Sequence, residues 1–317
     1  MPSVCIGLDI DSPHLIQTEP VHAEEIDNWL NQQYDKTRQL CQKILDLGLR
    51  NETNFSSDFQ MATIRVCEVE KPQWNVGKNQ TLHILPLDKA VKFLYQPFTI
   101  FVENRRNDRA FLEAVATGWR KERLQQLLKN NIIEFNGGGG IGEVLKWVEE
   151  IAEMKEKCQR SFALFDSDAL QPNEPSEQSK QVAAVCNQSI LYHQLKRRAI
   201  ENYLPYQALS IWMNVGVHQK IHGVSKRKLV EAFKQLSPEQ RHHFNMKKGF
   251  DGDKSQNTGD FYDEIPNSVK RTLKRGFGDD IAELFKEKRF KIPDEWLYKD
   301  NLTKELNPIL EQILSLV

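Results

Sequence analysis

The chain has 317 residues, 39% of them hydrophobic and 27% charged, which is typical of a globular protein with more than one compact unit. No apolar run approaches the roughly 20 residues of a membrane-spanning helix, and no basic stretch followed by an apolar one opens the sequence. We therefore expect a cytoplasmic protein without membrane contact. Five scattered cysteines argue against a disulfide framework and against a cysteine-based metal knuckle.

The net charge of −1 is unevenly distributed along the chain. Residues 196–291 contain 20 Lys and Arg against 12 Asp and Glu, a surplus of eight positive charges. Such a segment is expected where one face meets a polyanion, whereas solvated helix faces explain any single basic cluster equally well. The candidate nucleic-acid-binding residues in these clusters are Lys196, Arg197, Arg198, Lys247, Lys248 and Arg271.

Residues 1–95 are predicted to form a small α+β region at the amino terminus. Apolar residues at loosely helical spacing predict a helix over 22–49. Alternating apolar and polar residues predict strands over 59–70 and 81–87, and a short helix is predicted over 88–96. No reactive group of residues is recognisable in this region.

From residue 98 onward, short apolar runs alternate with helical patterns. This alternation is typical of βαβ units and predicts an α/β domain over 96–205, with a central parallel sheet flanked by helices. The predicted strands are 98–104, 131–137, 161–168 and 189–195, and the predicted helices are 108–130, 141–158 and 179–188.

The remainder of the chain, 206–317, is predicted to be an α-helical domain with a basic face. Helical spacing of apolar residues supports this prediction in four segments. These segments are 206–217, 225–236, 279–290 and 301–317.

Carboxylates lie at the ends of two of the predicted strands. Glu103 lies at the carboxyl end of the first predicted strand, and Asp166 and Asp168 lie at the carboxyl end of the third. In a parallel sheet these strand ends share one edge, where ligands usually bind. Like charges this close either bind protons or are neutralised by cations, and oxygen ligands suit Mg²⁺ or Mn²⁺. Zinc is disfavoured because no His or Cys lies nearby in the sequence.

Each of these signals is weak when taken singly. An Asp-x-Asp in a loop is more often a turn or a helix cap than a metal site. The combination is more specific, because both acidic groups stand where an apolar strand stops within one βαβ series. The glycine run in 136–142 matches neither a dinucleotide fingerprint nor a P-loop, and it would let backbone pass close to a metal or to a sugar-phosphate chain.

The pattern as a whole resembles a Toprim domain. It consists of "TIFVEN", a strand ending in glycines, a strand ending in Asp-x-Asp, and the phrase "LKRRAIENYLP". The resemblance covers residues 96–205, about a third of the chain. Within the Toprim group the chain is most similar to OLD-type nucleases and to their stand-alone relatives, which act beside an ATPase in bacterial anti-phage defence.

The resemblance implies roles for individual residues. Glu103, Asp166 and Asp168 correspond to the catalytic and metal-binding carboxylates of the family. Asp108 corresponds to a further acidic metal ligand, or it caps the next helix, and the family's usual Glu-Gly is Glu103-Asn104 here. Glu201 is similar to a later acidic metal ligand, or it forms a salt bridge to a neighbouring arginine. The segment "NMKKGF" resembles one that supplies a lysine, Lys247 or Lys248, of which Lys248 is assigned the catalytic role.

The function expected from this resemblance is that of a Mg²⁺- or Mn²⁺-dependent endonuclease. Its substrate is DNA or RNA, with tRNA included, and its protein partner is an ATPase of the ABC or AAA type. Two alternatives stay open: a regulatory or toxin-like subunit that an ATPase holds inactive, and a DxD-type nucleotide-sugar or nucleotidyl transferase. The sequence also leaves open whether the chain forms a homodimer.

Overall fold

The computed structural model describes residues 62–66, 71–76, 81–86, 96–215, 218–254, 260–287 and 292–315, and the single positions 28, 31, 32, 34, 35, 38, 39, 89, 90, 92, 93 and 256. The chain divides into two compact units. One unit is Met1–Phe98 with Gln312–Val317, and the other is Thr99–Glu311. Among the described residues, no helix is long and apolar enough to cross a membrane.

The first unit contains a three-stranded sheet of β1 (Ala62–Val66), β2 (Gln73–Val76) and β3 (Thr81–Leu85). The central strand β3 runs parallel to β1 and antiparallel to β2. The strands predicted near β1 and β3 are confirmed, whereas β2 was not predicted. Most of the helix predicted over 22–49 lies outside the described residues.

The second unit is built on a four-stranded parallel sheet flanked by helices, as the sequence predicts. Its strands lie in the order β5-β4-β6-β7, so the first and third strands of the series are neighbours at its centre. Each strand agrees with its predicted range to within three residues. The strands are β4 (Phe98–Val102), β5 (Ile133–Gly137), β6 (Ser161–Phe165) and β7 (Leu191–Gln194).

The helix predicted over 108–130 is wrong as a single element, because the structure has α1 (Arg105–Val115) and α2 (Trp119–Lys129). Gly118, directly before α2, has a φ of 53°, which a continuous right-handed helix does not use. The side chain of Thr117 at the break donates a hydrogen bond to Asn307 (3.1 Å). The apolar periodicity continues across the break, so the pattern alone did not show it.

The helix predicted over 141–158 is also divided, into α3 (Ile141–Ala152) and α4 (Lys155–Cys158). The next helix, α5 (Glu177–Ser189), is confirmed. It begins at Ser176, whose side chain accepts a hydrogen bond from the backbone N–H of Ser179 (3.2 Å). Helices α3 and α5 pack against each other on one face of the sheet.

Both faces of the central strands are covered. All five residues of β6 are buried, and its alternate side chains point to opposite faces. On one face Phe165 of β6 belongs to a core that includes Val144 of α3 and Val182 of α5. Another part of the core joins Phe111 of α1 to the ring of Tyr203, whose centroid is 5.5 Å away. A strand buried on both sides explains why "SFALF" is a continuous apolar run.

Beyond the sheet the chain is mainly helical, as predicted, with a small hairpin that was not predicted. The segment predicted as an α-helix over 279–290 is a 3-10 helix, Asp279–Phe285, and 288–290 lie outside the described residues. The other elements are α6 (Tyr206–Asn214), β8 (Lys220–Ile221), β9 (Val224–Ser225), α7 (Lys226–Lys234), α8 (Pro238–His243), α9 (Gly249–Gly252), α10 (Asn267–Thr272), α11 (Asp294–Lys299) and α12 (Thr303–Ser315).

We expect two glycines near the sheet edge to respond in opposite directions to substitution. A Cβ on Gly137 would lie 2.3 Å from the backbone oxygen of Val102, so Gly137→Ala should lower the free energy of unfolding by about 1–3 kcal/mol. Gly142 lies in α3 with open space around it, so Gly142→Ala should raise that energy by up to about 1 kcal/mol. Urea unfolding monitored by circular dichroism measures both changes, and equal effects would contradict the packing described here.

Candidate active site

The strand order places the candidate carboxylates at a topological switch point. The chain passes from β4 to β5, which lies on one side of β4, and then to β6, which lies on the other side of β4. Glu103 follows β4 and Asp166 follows β6, so both stand at the crevice between two adjacent strand ends, where α/β sheets bind ligands. The backbone N–H of Asp166 donates a hydrogen bond to Glu103 Oε1 (2.9 Å), which joins the two strand ends directly.

The backbone around Asp166 fixes the position of its carboxylate. Asp166 Oδ1 accepts a hydrogen bond from the backbone N–H of Ile200 (3.1 Å), at the start of the 3-10 helix Ile200–Tyr203. Its carbonyl oxygen accepts another from Ser179 Oγ (2.7 Å), near the start of α5. The Asp-x-Asp segment is therefore attached both to the following helix and to the segment after β7.

Asp168 has an uncommon backbone conformation, with φ of 48° in the left-handed region. Its backbone N–H donates to the carbonyl oxygen of Arg198 (2.9 Å), and the side chain of the buried Ser167 donates to the carbonyl oxygen of Arg197 (2.9 Å). These two hydrogen bonds stabilise the turn and offset the energetic cost of the left-handed conformation at Asp168. The charge of Asp168 acts on Glu103 and raises the pKa of that carboxyl group.

Asp108 takes part in capping α1, which is one of the two roles that the sequence left open. Asn104 caps α1, since its side chain accepts hydrogen bonds from the N–H groups of Arg106 and Asn107 (both 3.1 Å). Asp108 Oδ2 in turn accepts one from the N–H of Asn104 (2.7 Å). The side chain of Asp108 is only 6% exposed and interacts electrostatically with the carboxylate of Glu201, so it also belongs to the acidic site.

Glu201 pairs with a lysine rather than with a neighbouring arginine. It lies in the 3-10 helix, is 1% exposed, and its Oε1 is 2.9 Å from Nζ of Lys247. Among the described residues, neither carboxylate oxygen of Glu201 accepts a well-aligned hydrogen bond. Lys247 is thus the counter-ion of the site, while the carboxylate keeps capacity to accept further bonds.

Two glycines position the backbone of Lys247. Its carbonyl oxygen accepts a hydrogen bond from the N–H of Gly278 (3.1 Å), and that of Met246 accepts one from Phe277 (2.7 Å). A Cβ on Gly276 would lie 2.7 Å from both carbonyl oxygens, and a Cβ on Gly249 would lie 2.3 Å from the nitrogen of Gly276. The two chain segments therefore approach as closely as glycine allows, and this approach orients the lysine.

The crowding of acidic groups changes their proton affinities. Burial and the charge of Asp168 raise the pKa of Glu103 to about 8. Burial and the charge of Glu201 raise the pKa of Asp108 to about 7. Burial, followed by the charge of Glu103, raises the pKa of Asp166 well above its usual value, and burial also raises that of Asp168.

Lys247 responds in the opposite sense to the same surroundings. Burial opposes the charged form of Lys247, but the carboxylate of Glu201 and the other acids outweigh it and raise the lysine pKa above its usual value. Lys247 lies beside five acidic side chains, and Arg198, whose charge also acts on Asp168, is already paired with Asp253. The sheet edge therefore has a deficit of positive charge. The acidic site therefore needs protons or additional cations at neutral pH.

A divalent cation fits this donor set. The described residues contain no group of three or more acidic, His or Cys side chains already arranged around one point as metal ligands. Mg²⁺ needs no such group, because it keeps several waters and takes one or two carboxylates. The underbonded oxygens of Glu201 and the raised carboxyl pKa values indicate that the residues present suit a hard cation. Glu103, Asp166 and Asp168 would hold it, with Asp108 and Glu201 beside them.

The glycine run after β5 lies beside the same edge. The N–H of Gly140 donates to the carbonyl oxygen of Glu103 (3.3 Å), and φ is positive at Gly138, Gly139 and Gly140. Side chains at these positions would be strained, so the segment stays free of them. A Cβ on Gly138 or Gly140 would have no other atom within 4 Å, so the space around these two glycines is open.

The other residues predicted from the sequence lie in different surroundings. Arg198 is 7% exposed, and its guanidinium donates two hydrogen bonds to Asp253 (both 2.7 Å), so it braces the fold instead of facing solvent. Lys248 is exposed, and among the described residues it forms no ion pair, whereas Lys247 pairs with Glu201. Arg271 is exposed on α10.

Sequence reasoning missed two residues that support the site. Ser179 binds the carbonyl oxygen of Asp166, and Asp253 neutralises Arg198. A serine in the first turn of α5 resembled an ordinary helix start, and Asp253 is 55 residues from its partner. Neither carried a local signal that would have distinguished it.

Comparison of the chain with protein-family models, with curated proteins and with solved structures finds no match in any of the three. The functional assignment therefore depends on the geometry and charge of the site.

We expect the metal-free protein to lose stability as pH rises from about 4.5 to about 8. Up to about pH 7 the folded Glu103 and Asp108 both keep protons that the unfolded chain has released, and between about pH 7 and 8 only Glu103 does. The free energy of unfolding therefore falls by about 1.4 kcal/mol per pH unit for each group that is still protonated in the folded state. Urea unfolding in EDTA at several pH values measures the slope. The slope should be shallower in Glu103→Gln, and an unchanged slope would contradict the proposed crowding.

Proposed function

We propose that the protein is a metal-dependent nuclease of the Toprim type. The observation that carries the proposal is the convergence of acidic side chains from the ends of two adjacent parallel strands, with a lysine among them. A parallel sheet with Glu103 after its first strand and Asp166 and Asp168 after its third supports the resemblance found in the sequence. The proposed activity is hydrolysis of phosphodiester bonds in DNA or RNA.

The side chains of the site suit a reaction at phosphate. A bound Mg²⁺ or Mn²⁺ supplies Lewis acidity and a water molecule of lowered pKa. Glu103, fixed by the N–H of Asp166, and Asp166, fixed by the N–H of Ile200, keep their oxygens in place without reorganisation. The ammonium of Lys247 offers donors beside them, where negative charge develops on a phosphate oxygen.

The charge distribution favours a polyanionic substrate. The surplus of eight positive charges lies in residues 196–291, the part of the chain that supplies Lys247. Contacts to phosphate groups give binding that depends strongly on salt and little on sequence. A nucleic acid meets this description better than the nucleotide sugar of a DxD-type transferase does.

The first test is cleavage of labelled DNA and of total tRNA with Mg²⁺ or Mn²⁺. Glu103→Gln and Asp166→Asn should each lower the cleavage rate by at least about 100-fold, because they remove ligand charge and keep the side-chain shape. The matched control Glu177→Gln changes a carboxylate that is 84% exposed in its side chain and should cleave like the wild type. EDTA should abolish cleavage.

Cleavage that survives EDTA and both substitutions would overturn the proposal. If the isolated chain cuts neither substrate, metal binding by calorimetry separates the remaining hypotheses. Binding that Glu103→Gln abolishes would favour a subunit held inactive until its ATPase partner acts. Absence of metal binding would exclude the nuclease.

The two adjacent lysines offer a second test. Lys247→Met should lower kcat by about 10²–10³-fold, because it removes a donor from the position where charge develops. Lys248→Met should keep kcat within about 3-fold, since this side chain is exposed and forms no ion pair among the described residues. Single-turnover cleavage measures both variants. A larger loss in Lys248→Met would restore the assignment made from the sequence.

A further inference from the structure

A cavity of about 760 Å³ lies next to the acidic site within the second unit. Its walls come from the 3-10 helix that carries Glu201, from α6 to α8, and from the segment that joins α11 to α12. Its volume is within the range of pockets that hold a small ligand. Glu201 and Met246, the residue before Lys247, both line it, so the cavity and the acidic site share a wall.

The lining of the cavity carries an excess of positive charge. Five cationic side chains face three carboxylates when Glu201 is left aside with its partner Lys247. One of the three, Glu305, already accepts hydrogen bonds from His193, from the N–H of Lys196 and from Tyr203 (2.8–2.9 Å). The cations are Lys196, Arg197, Arg241, Lys299 and Lys304.

Two arginines form the inner part of this lining and are held in place. The guanidinium of Arg197 lies over the ring of Tyr203 at 4.9 Å and donates to the carbonyl oxygen of Asn202 (2.7 Å). Arg241 donates to the carbonyl oxygen of Leu236 (2.7 Å). Each guanidinium has five N–H donors, so both keep donors for an anion.

The lysines at the cavity are exposed and available to a ligand. Lys196, Lys299 and Lys304 are all exposed, and none of the three has an ion-pair partner among the described residues. Lysines in this situation neutralise phosphate groups as mobile point charges. Together with the two arginines they give the cavity five cationic side chains, in the same lining as Glu201.

The cavity also offers surfaces to an uncharged group. Tyr206, Leu209 and Phe233 contribute aromatic and aliphatic walls. Burial, and then the charge of Arg197, lower the pKa of His242 to about 4, so its imidazole is neutral at pH 7 and can donate or accept a hydrogen bond. A phosphate site beside an apolar wall and a neutral hydrogen-bonding group suits a nucleotide.

We propose that this cavity binds a phosphate-bearing nucleotide unit next to the acidic site. In the form that rests on the proposed function, the unit is the nucleotide adjacent to the scissile phosphate of the substrate chain. The shared wall at Glu201 favours this form, because a chain whose phosphate lies at the carboxylates continues directly into the cavity.

The test measures binding without cleavage. Fluorescence anisotropy with labelled single-stranded DNA and RNA oligonucleotides in EDTA compares the wild type with the double variant Lys299→Gln/Lys304→Gln. We expect the variant to bind about 10-fold more weakly, and the slope of log K against log salt to become shallower by about 1.4, since two phosphate contacts are lost. The control Lys129→Gln/Lys180→Gln removes two exposed lysines outside the cavity and should match the wild type.

Unchanged affinity and salt slope in the double variant, or absence of oligonucleotide binding by the wild type, would overturn the form in which the cavity holds the substrate chain. The whole cavity proposal would be wrong if the double variant also binds adenosine 5′-monophosphate as the wild type does, and cleavage by the wild type would then leave the nuclease proposal standing. If the protein never cleaves but the variant binds the oligonucleotide more weakly, the nuclease proposal is wrong and the cavity proposal stands.

Adenosine 5′-monophosphate identifies the source of the nucleotide. Displacement of the oligonucleotide by this probe supports a site for the substrate chain. Binding of the probe that the double variant loses, without displacement of the oligonucleotide, supports a site for a free nucleotide instead. Both results support the same phosphate-recognising chemistry.

Discussion

The repulsion among acidic side chains at one edge of a parallel sheet is the constraint on which the rest of the structure depends. Glu103 and Asp166 meet because β4 and β6 are neighbours, and burial makes their charged forms costly. The ammonium of Lys247 and backbone N–H groups offset part of this cost. The negative charge that remains is the reason for proposing a cation site at this edge.

The segment between β7 and α6 organises this edge. Its backbone accepts hydrogen bonds from Ser167 and Asp168, and it donates one to the carboxylate of Asp166. The buried pair of Arg198 and Asp253 anchors the segment to the helical region. The basic residues 196–198, which the sequence predicts to contact nucleic acid, therefore have two roles. Arg198 stabilises the fold, whereas Lys196 and Arg197 line the cavity.

The helical region completes the site as well as covering the sheet. It supplies Lys247 through a close approach of two backbone segments at Gly249 and Gly276, and it builds most of the cavity wall. Acidic and basic surfaces thus lie side by side, one suited to a metal and the other to phosphate. This adjacency is the physical basis for the proposal that the chain acts on phosphodiesters.

The sequence by itself determined the parallel sheet and the acidic ends of its strands, because apolar runs and the residues that end them are local signals. It did not show the division of the helix over 108–130, since a tertiary contact at Thr117 and the backbone of Gly118 decide it. Nor did it distinguish Lys247 from Lys248. The two adjacent lysines are chemically identical and differ only in their surroundings. The packing of distant segments decides which of them pairs with Glu201.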